Sequence, residues 1–120
     1  MAADEADEST GRSLSASISN AIVRLLAEST GRGPTKARTT IDLDLVVVML
    51  ANSLTKGERY LADNGRGGQV LDMRAAYQTA MEDDCGAAIE ELTGRKVLAF
   101  MSANHIDPDM AAEIFVLEPA

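Results

Sequence analysis

Apolar positions Leu14, Ile18, Ala21, Ile22, Leu25 and Leu26 recur at spacings of three and four through residues 13–30, which places them on one stripe of a first helix. Gly31 can take the left-handed conformation that ends a helix, and Pro34 after it cannot continue one. The pattern then changes. Residues 37–50 are rich in β-branched side chains and alternate at their start, but they are long for one strand. Asp42-Leu43-Asp44 supplies turn chemistry, so a hairpin of roughly 36–41 against 45–51 is favoured over one continuous strand.

Further along, Thr55-Lys56-Gly57-Glu58 matches a capping box and predicts a short helix. Asn64-Gly65-Arg66-Gly67-Gly68 ends it. A long helix follows over about 69–93, with Val70, Met73, Tyr77, Ala80, Met81, Ala88 and Leu92 as its apolar stripe and Gly94 as its stop. The remainder predicts a second hairpin, with 95–103 and 110–117 as strands and 104–109 as the connection. Pro108 suits the first central position of a common turn there. The order α-ββ-αα-ββ points to an α+β fold in two layers, with three helices on one face of a mainly antiparallel four-stranded sheet.

Composition narrows this picture. The 120 residues suit one domain, 46% of them are apolar, and Trp is absent, so the core is aliphatic. Asp4, Glu5, Asp7 and Glu8 carry half of the formal net charge of −8, in a stretch with too little apolar surface to offset the entropy of ordering. Residues 1–12 are therefore expected to form a disordered acidic tail before a single domain over 13–120. The remaining modest acidity disfavours nucleic acid as a partner. Cys85 is the one cysteine, which excludes an internal disulfide and fits a reducing, cytoplasmic setting. With no apolar run of membrane-spanning length, direct membrane insertion is not expected.

Four groups of residues are weighed for candidate chemistry. The loop Gly31-Arg32-Gly33-Pro34-Thr35-Lys36-Ala37-Arg38 is a basic exception in an acidic chain, and Arg32, Lys36 and Arg38 could bind a small anion. However, it follows a helix C-terminus, where cations offset the dipole and cap carbonyls, and phosphate cradles use the opposite end. His105, Asp107 and Asp109 flank Pro108 as a candidate functional turn, though this is also ordinary turn composition. Cys85, beside Gly86 within the long helix, reads as a structural thiol, and Gly86 suggests close packing or a kink. The acidic run Glu82-Asp83-Asp84 lacks calcium-loop spacing and reads as a solvated face. No catalytic residues, metal site or cofactor emerge from these patterns.

The run Ile18-Ser19-Asn20 with the 31–38 loop resembles the MpsC-like (YbcI-like) family. Its patterns continue in Leu54-Thr55 with Glu58, Glu91-Leu92-Thr93-Gly94-Arg95-Lys96-Val97, Phe100-Met101-Ser102, His105 with Asp107-Pro108-Asp109, and Glu113 to Pro119. The resemblance implies an accessory role beside a bacterial membrane-potential-generating, cation-translocating system linked to inorganic-carbon uptake, and it brings no catalytic residues. The expected partners are a second copy of the chain, because sheet edges invite pairing, and a protein of a membrane transport complex. An enzyme or sensor for a small anion, with His105 as acid/base, is the alternative. A membrane-surface adaptor using the first helix is disfavoured, since Arg24 is the only cation in 13–30.

Overall fold

In this computed structural model of the chain the described residues are 2–120, with side chains described from Leu14 onward, and the acidic tail expected over 1–12 lies outside the residues whose side chains are described. Three helices and four strands follow one another as α1 (Ala2–Thr30), β1 (Lys36–Asp42), β2 (Leu45–Ala51), α2 (Lys56–Asp63), α3 (Gly67–Thr93), β3 (Val97–His105) and β4 (Met110–Leu117). The strands form one antiparallel sheet in the order β1-β2-β4-β3, so each hairpin supplies one central and one edge strand. This is an α+β architecture.

The local signals explain most of the boundaries. Gly31 adopts φ of 82° and its N–H donates to the Ala27 carbonyl at 2.9 Å, closing α1. Gly33 packs against the same helix, because a Cβ there would meet Val23 Cγ1 at 3.3 Å. In the first hairpin Asp42 pairs with Leu45, and Leu43 in the turn takes φ of 55° while 83% exposed. Thr55 Oγ1 accepts from the Glu58 N–H at 3.2 Å and Glu58 Oε1 accepts from the Thr55 N–H at 2.8 Å, the reciprocal capping expected for α2. Gly94, at φ of 69°, caps α3.

Two expectations are corrected. The Asp107–Pro108 bond is cis, so Pro108 does not take the first central position of a common turn expected of it. In α3 the buried positions are Val70, Arg74, Gln78, Met81, Cys85 and Ile89, whereas Met73 and Leu92 are exposed. Hydropathy alone misplaced this stripe, because Arg74 and Gln78 lie inward, where they meet buried polar partners.

Helices α1 and α3 pack on one side of the sheet, and α2 packs on α3. Its inner face presents Val46, Val48, Leu50, Phe115 and Leu117 to Ile18, Ile22 and Leu26 of α1 and to Met81, Cys85 and Ile89 of α3. Phe100 packs on Phe115 with ring centroids 5.0 Å apart. Each large side chain fully buried here contributes about 1.5–3 kcal/mol of transfer free energy. The side chains of β1 that point inward, Ala37, Thr39 and Ile41, lie beneath α1, where Thr39 Oγ1 is 2.7 Å from Ser19 Oγ.

Candidate functional site

The basic loop is divided by the fold. Arg32 donates from Nη2 to the Asn52 carbonyl at 3.2 Å, and Asn52 Nδ2 donates to Thr35 Oγ1 at 2.9 Å, stitching the loop after α1 to the loop after β2. Lys36 and Arg38 lie beyond it on β1. With Met49, Ala51 and Met110 they line an open depression of about 540 Å³ on the outer face of the sheet. The three cations expected to act together thus separate into one that braces two loops and two that flank an apolar floor.

The β3–β4 turn is likewise divided. Asp109 is buried, accepting from the Ser53 N–H at 3.2 Å, the Leu54 N–H at 3.0 Å and Arg59 Nη2 at 3.0 Å. It fixes the β2–α2 connection. His105 is exposed, with Nδ1 2.8 Å from the Pro108 carbonyl oxygen, and Asp107 is exposed beside it. Although His105 and Lys36 point to the same outer face, β2 and β4 lie between them. An acid/base role of His105 toward an anion held by Lys36 and Arg38 has no shared pocket to act in.

Beneath the sheet, the inward polar residues of α3 join a buried network. Arg74 Nη2 donates to Ser53 Oγ at 2.7 Å, and its Nε lies 3.4 Å from Glu58 Oε2 in a pair whose side chains are about 5% and 4% exposed. That carboxylate oxygen has no hydrogen bond of its own, so the charge of Arg74 is its compensation. One turn along, Gln78 Nε2 donates to Glu113 Oε1 at 2.9 Å, and Gln78 and Asn104 exchange hydrogen bonds through their amides. Ser102 Oγ donates to the other Glu113 oxygen. Burial raises the Glu113 carboxyl above its usual range, opposed by the Ser102 and Gln78 hydrogen bonds and by the Arg74 charge.

A shallow groove runs between α3 and β3 past this network, lined in one part by Gln78, Glu82 and Ser102 and in the next by Gly86, Glu90 and Val97. Gly86 borders open space, since a Cβ there would meet nothing within 4 Å, which corrects the expectation of close packing at that glycine. Cys85 is buried against the sheet, and burial first, then the Glu113 and Asp84 charges, push its thiol up to about 12. It stays a protonated thiol and a poor nucleophile at neutral pH. Among the described residues no cluster of His, Cys, Asp and Glu is arranged to hold a metal ion.

The outer face of the sheet is the feature that residue motifs missed. The strand register sets its side chains in four rows across the sheet. Lys36, Ala51, Met110 and His105 form the first row; Arg38, Met49, Ala112 and Ala103 the second. Thr40, Val47, Ile114 and Met101 form the third; Asp42, Leu45, Val116 and Ala99 the fourth. Every outward position of β2 and β4 is apolar, yet among the residues with described side chains no helix covers them. Met101 is 50% exposed and Leu98, at the bulge of β3, is 60% exposed. The signal was present in the unbroken apolar run of β2, since a strand covered on one side alone would alternate with polar residues.

Comparison with curated proteins and with solved structures returns no match. A family model described as "Na+-translocating membrane potential-generating system (MpsC)" matches residues 10–119, spanning the basic loop, the buried network and the outer sheet face. The chain belongs to the MpsC family.

Proposed function

We propose that this chain is a non-enzymatic accessory or regulatory component of a cation-translocating membrane system, working from the cytoplasm through protein contacts. The family description supports the association with a sodium-dependent membrane potential. No helix among the described residues is long and apolar enough to cross a membrane. The observation that carries the reading is the outer sheet face, where two central strands present only apolar side chains outward. Contiguous apolar surface of this kind marks a protein interaction site. The most reactive side chain type in the chain, Cys85, is held inert by burial, and the buried carboxylates are engaged in supporting the fold.

The test is made in the host cell. Deleting the gene should lower the sodium-dependent membrane potential read by a voltage-sensitive dye, and the wild-type gene should restore it. Val47→Lys, at the centre of the outer face, should accumulate normally and fail to restore it. An unchanged potential after deletion would overturn the association.

A second reading has one observation in its favour, the depression in which Lys36 and Arg38 border an apolar floor. It takes a small anion such as bicarbonate or phosphate as ligand. Under it, the anion raises the thermal midpoint of the wild type and leaves Arg38→Ala unmoved.

A further inference from the structure

We infer that the outer sheet face is closed by a second copy of this chain, related by a two-fold axis that runs across the strands. This rests on the reading of that face as a protein contact surface and names its occupant. The argument begins with the edge strand β1, the only strand whose outward positions are all polar. It carries Lys36 and Arg38 at one end and Asp42 at the other. A two-fold axis across the strands sets each strand over its own symmetry mate, running the opposite way. The first row then lies over the fourth, so Lys36 of one copy meets Asp42 of the other, twice. A two-fold axis along the strands would instead set Lys36 over His105 and leave Asp42 over Ala99.

The apolar rows fit the same operator. Ala112 comes to lie over Ile114 and Ala103 over Met101, so small residues receive large ones, as close packing between sheets requires. Aligned sheets cross at about 30°, which shifts the corner residues more than the central ones. A lysine side chain spans such an offset, and the Ala112–Ile114 pair lies on a central strand, where the shift is least. From strand geometry the rows cover roughly 20 by 14 Å between outermost Cα positions. A face of that size belongs to the lower end of specific interfaces, so the dimer dissociates on dilution.

The operator gives a test that does not depend on function in the cell. Sedimentation over a range of concentrations should show the full chain passing from monomer to dimer. Ile114→Lys should remain monomeric throughout while keeping the wild-type circular dichroism spectrum and thermal midpoint at low concentration. Lys36→Asp and Asp42→Lys should each raise the dissociation constant about three- to tenfold, through two like-charge rim contacts. The double variant should recover the wild-type constant. Within one chain these two residues stand at opposite ends of β1, so recovery reports on a contact between copies. A wild type that stays monomeric, or a dimer that survives Ile114→Lys, overturns the inference, even if Val47→Lys still fails to restore the membrane potential; the face then belongs to a different protein. Loss of the dimer in Ile114→Lys without recovery in the charge-swapped double variant overturns the orientation.

Discussion

Both faces of the sheet carry apolar side chains, but they differ in what covers them and in where polar groups are held. The inner face, roofed by α1 and α3, buries Glu113, and the covering layer buries Arg74, Glu58 and Gln78. The outer face is left uncovered and carries Leu45, Met101 and Met110 among its exposed side chains. Neighbouring residues of β4 show the contrast most directly, since Glu113 is 2% exposed and Ile114 next to it only half-buried. What is buried within one chain is thus decided by which face the helices cover, with hydrogen bonds and ion pairs making the polar inclusions tolerable. No described helix side chain covers the apolar outer positions of β2 and β4, and exposed apolar surface of this kind fits a partner binding there.

The sharpest way to break this comparison uses adjacent residues on opposite faces. Phe115→Ala removes a fully buried ring from the inner face and should cost about 3–5 kcal/mol in urea unfolding. Ile114→Ala, measured at concentrations where the chain is monomeric, should cost no more than about 1 kcal/mol. Equal costs at the two positions would mean that the outer face is already packed within the monomer.

The buried ion pair gives an effect of similar size through a different cause. Arg74→Ala leaves the Glu58 carboxylate inside the fold with its compensating charge removed, and should cost about 3–5 kcal/mol. Replacing both partners, as in Arg74→Met with Glu58→Leu, should recover much of that loss, apart from the lost capping of α2. If the single change were harmless, the pair would be reaching solvent and the inner face would be less closed than its burial indicates.

The smallest expected effect is one of pH. Glu113 has a raised carboxyl in the folded chain, so in the window between its ordinary and its raised value the folded state holds more protons than the unfolded state. Its contribution to stability is therefore fully present below the ordinary carboxylate value and is lost as pH rises through the raised one. Glu113→Gln removes that proton uptake. Within the window the variant should gain on the wild type by at most about 1.4 kcal/mol per pH unit, followed by chemical denaturation at a series of pH values. A constant difference across the series would show that burial does not perturb this carboxyl.

The candidate chemistry was legible in part. Arg32, Lys36 and Arg38 were visible as a basic run, but Gly31 and Pro34 turn the chain between them, so that Arg32 reaches the Asn52 loop while Lys36 and Arg38 sit on a strand. Asp109 was visible only as a member of the candidate functional turn with His105 and Asp107. Its three hydrogen bonds join positions at least 50 apart in the chain, and no local pattern reports such a partner. Arg74 and Gln78 were hidden for the same reason, since hydropathy places them outward until Glu58 and Glu113 are known to face them.

By itself the sequence determined the elements and their stops: the helical stripe of α1, the capping box of α2, Gly31 and Gly94 at the helix ends, and two hairpins divided by turn residues. These are contests between neighbouring residues over backbone conformation, and composition within a few positions decides them. Tertiary structure alone decided which face of the sheet the helices cover, and with it which residues of α3 point inward. Period-two alternation marks that a strand has two faces without saying which is roofed. That choice is made where helices and hairpins meet, by fitting Arg74 to Glu58 and Gln78 to Glu113 while leaving the apolar outward positions of β2 and β4 without a described helix over them.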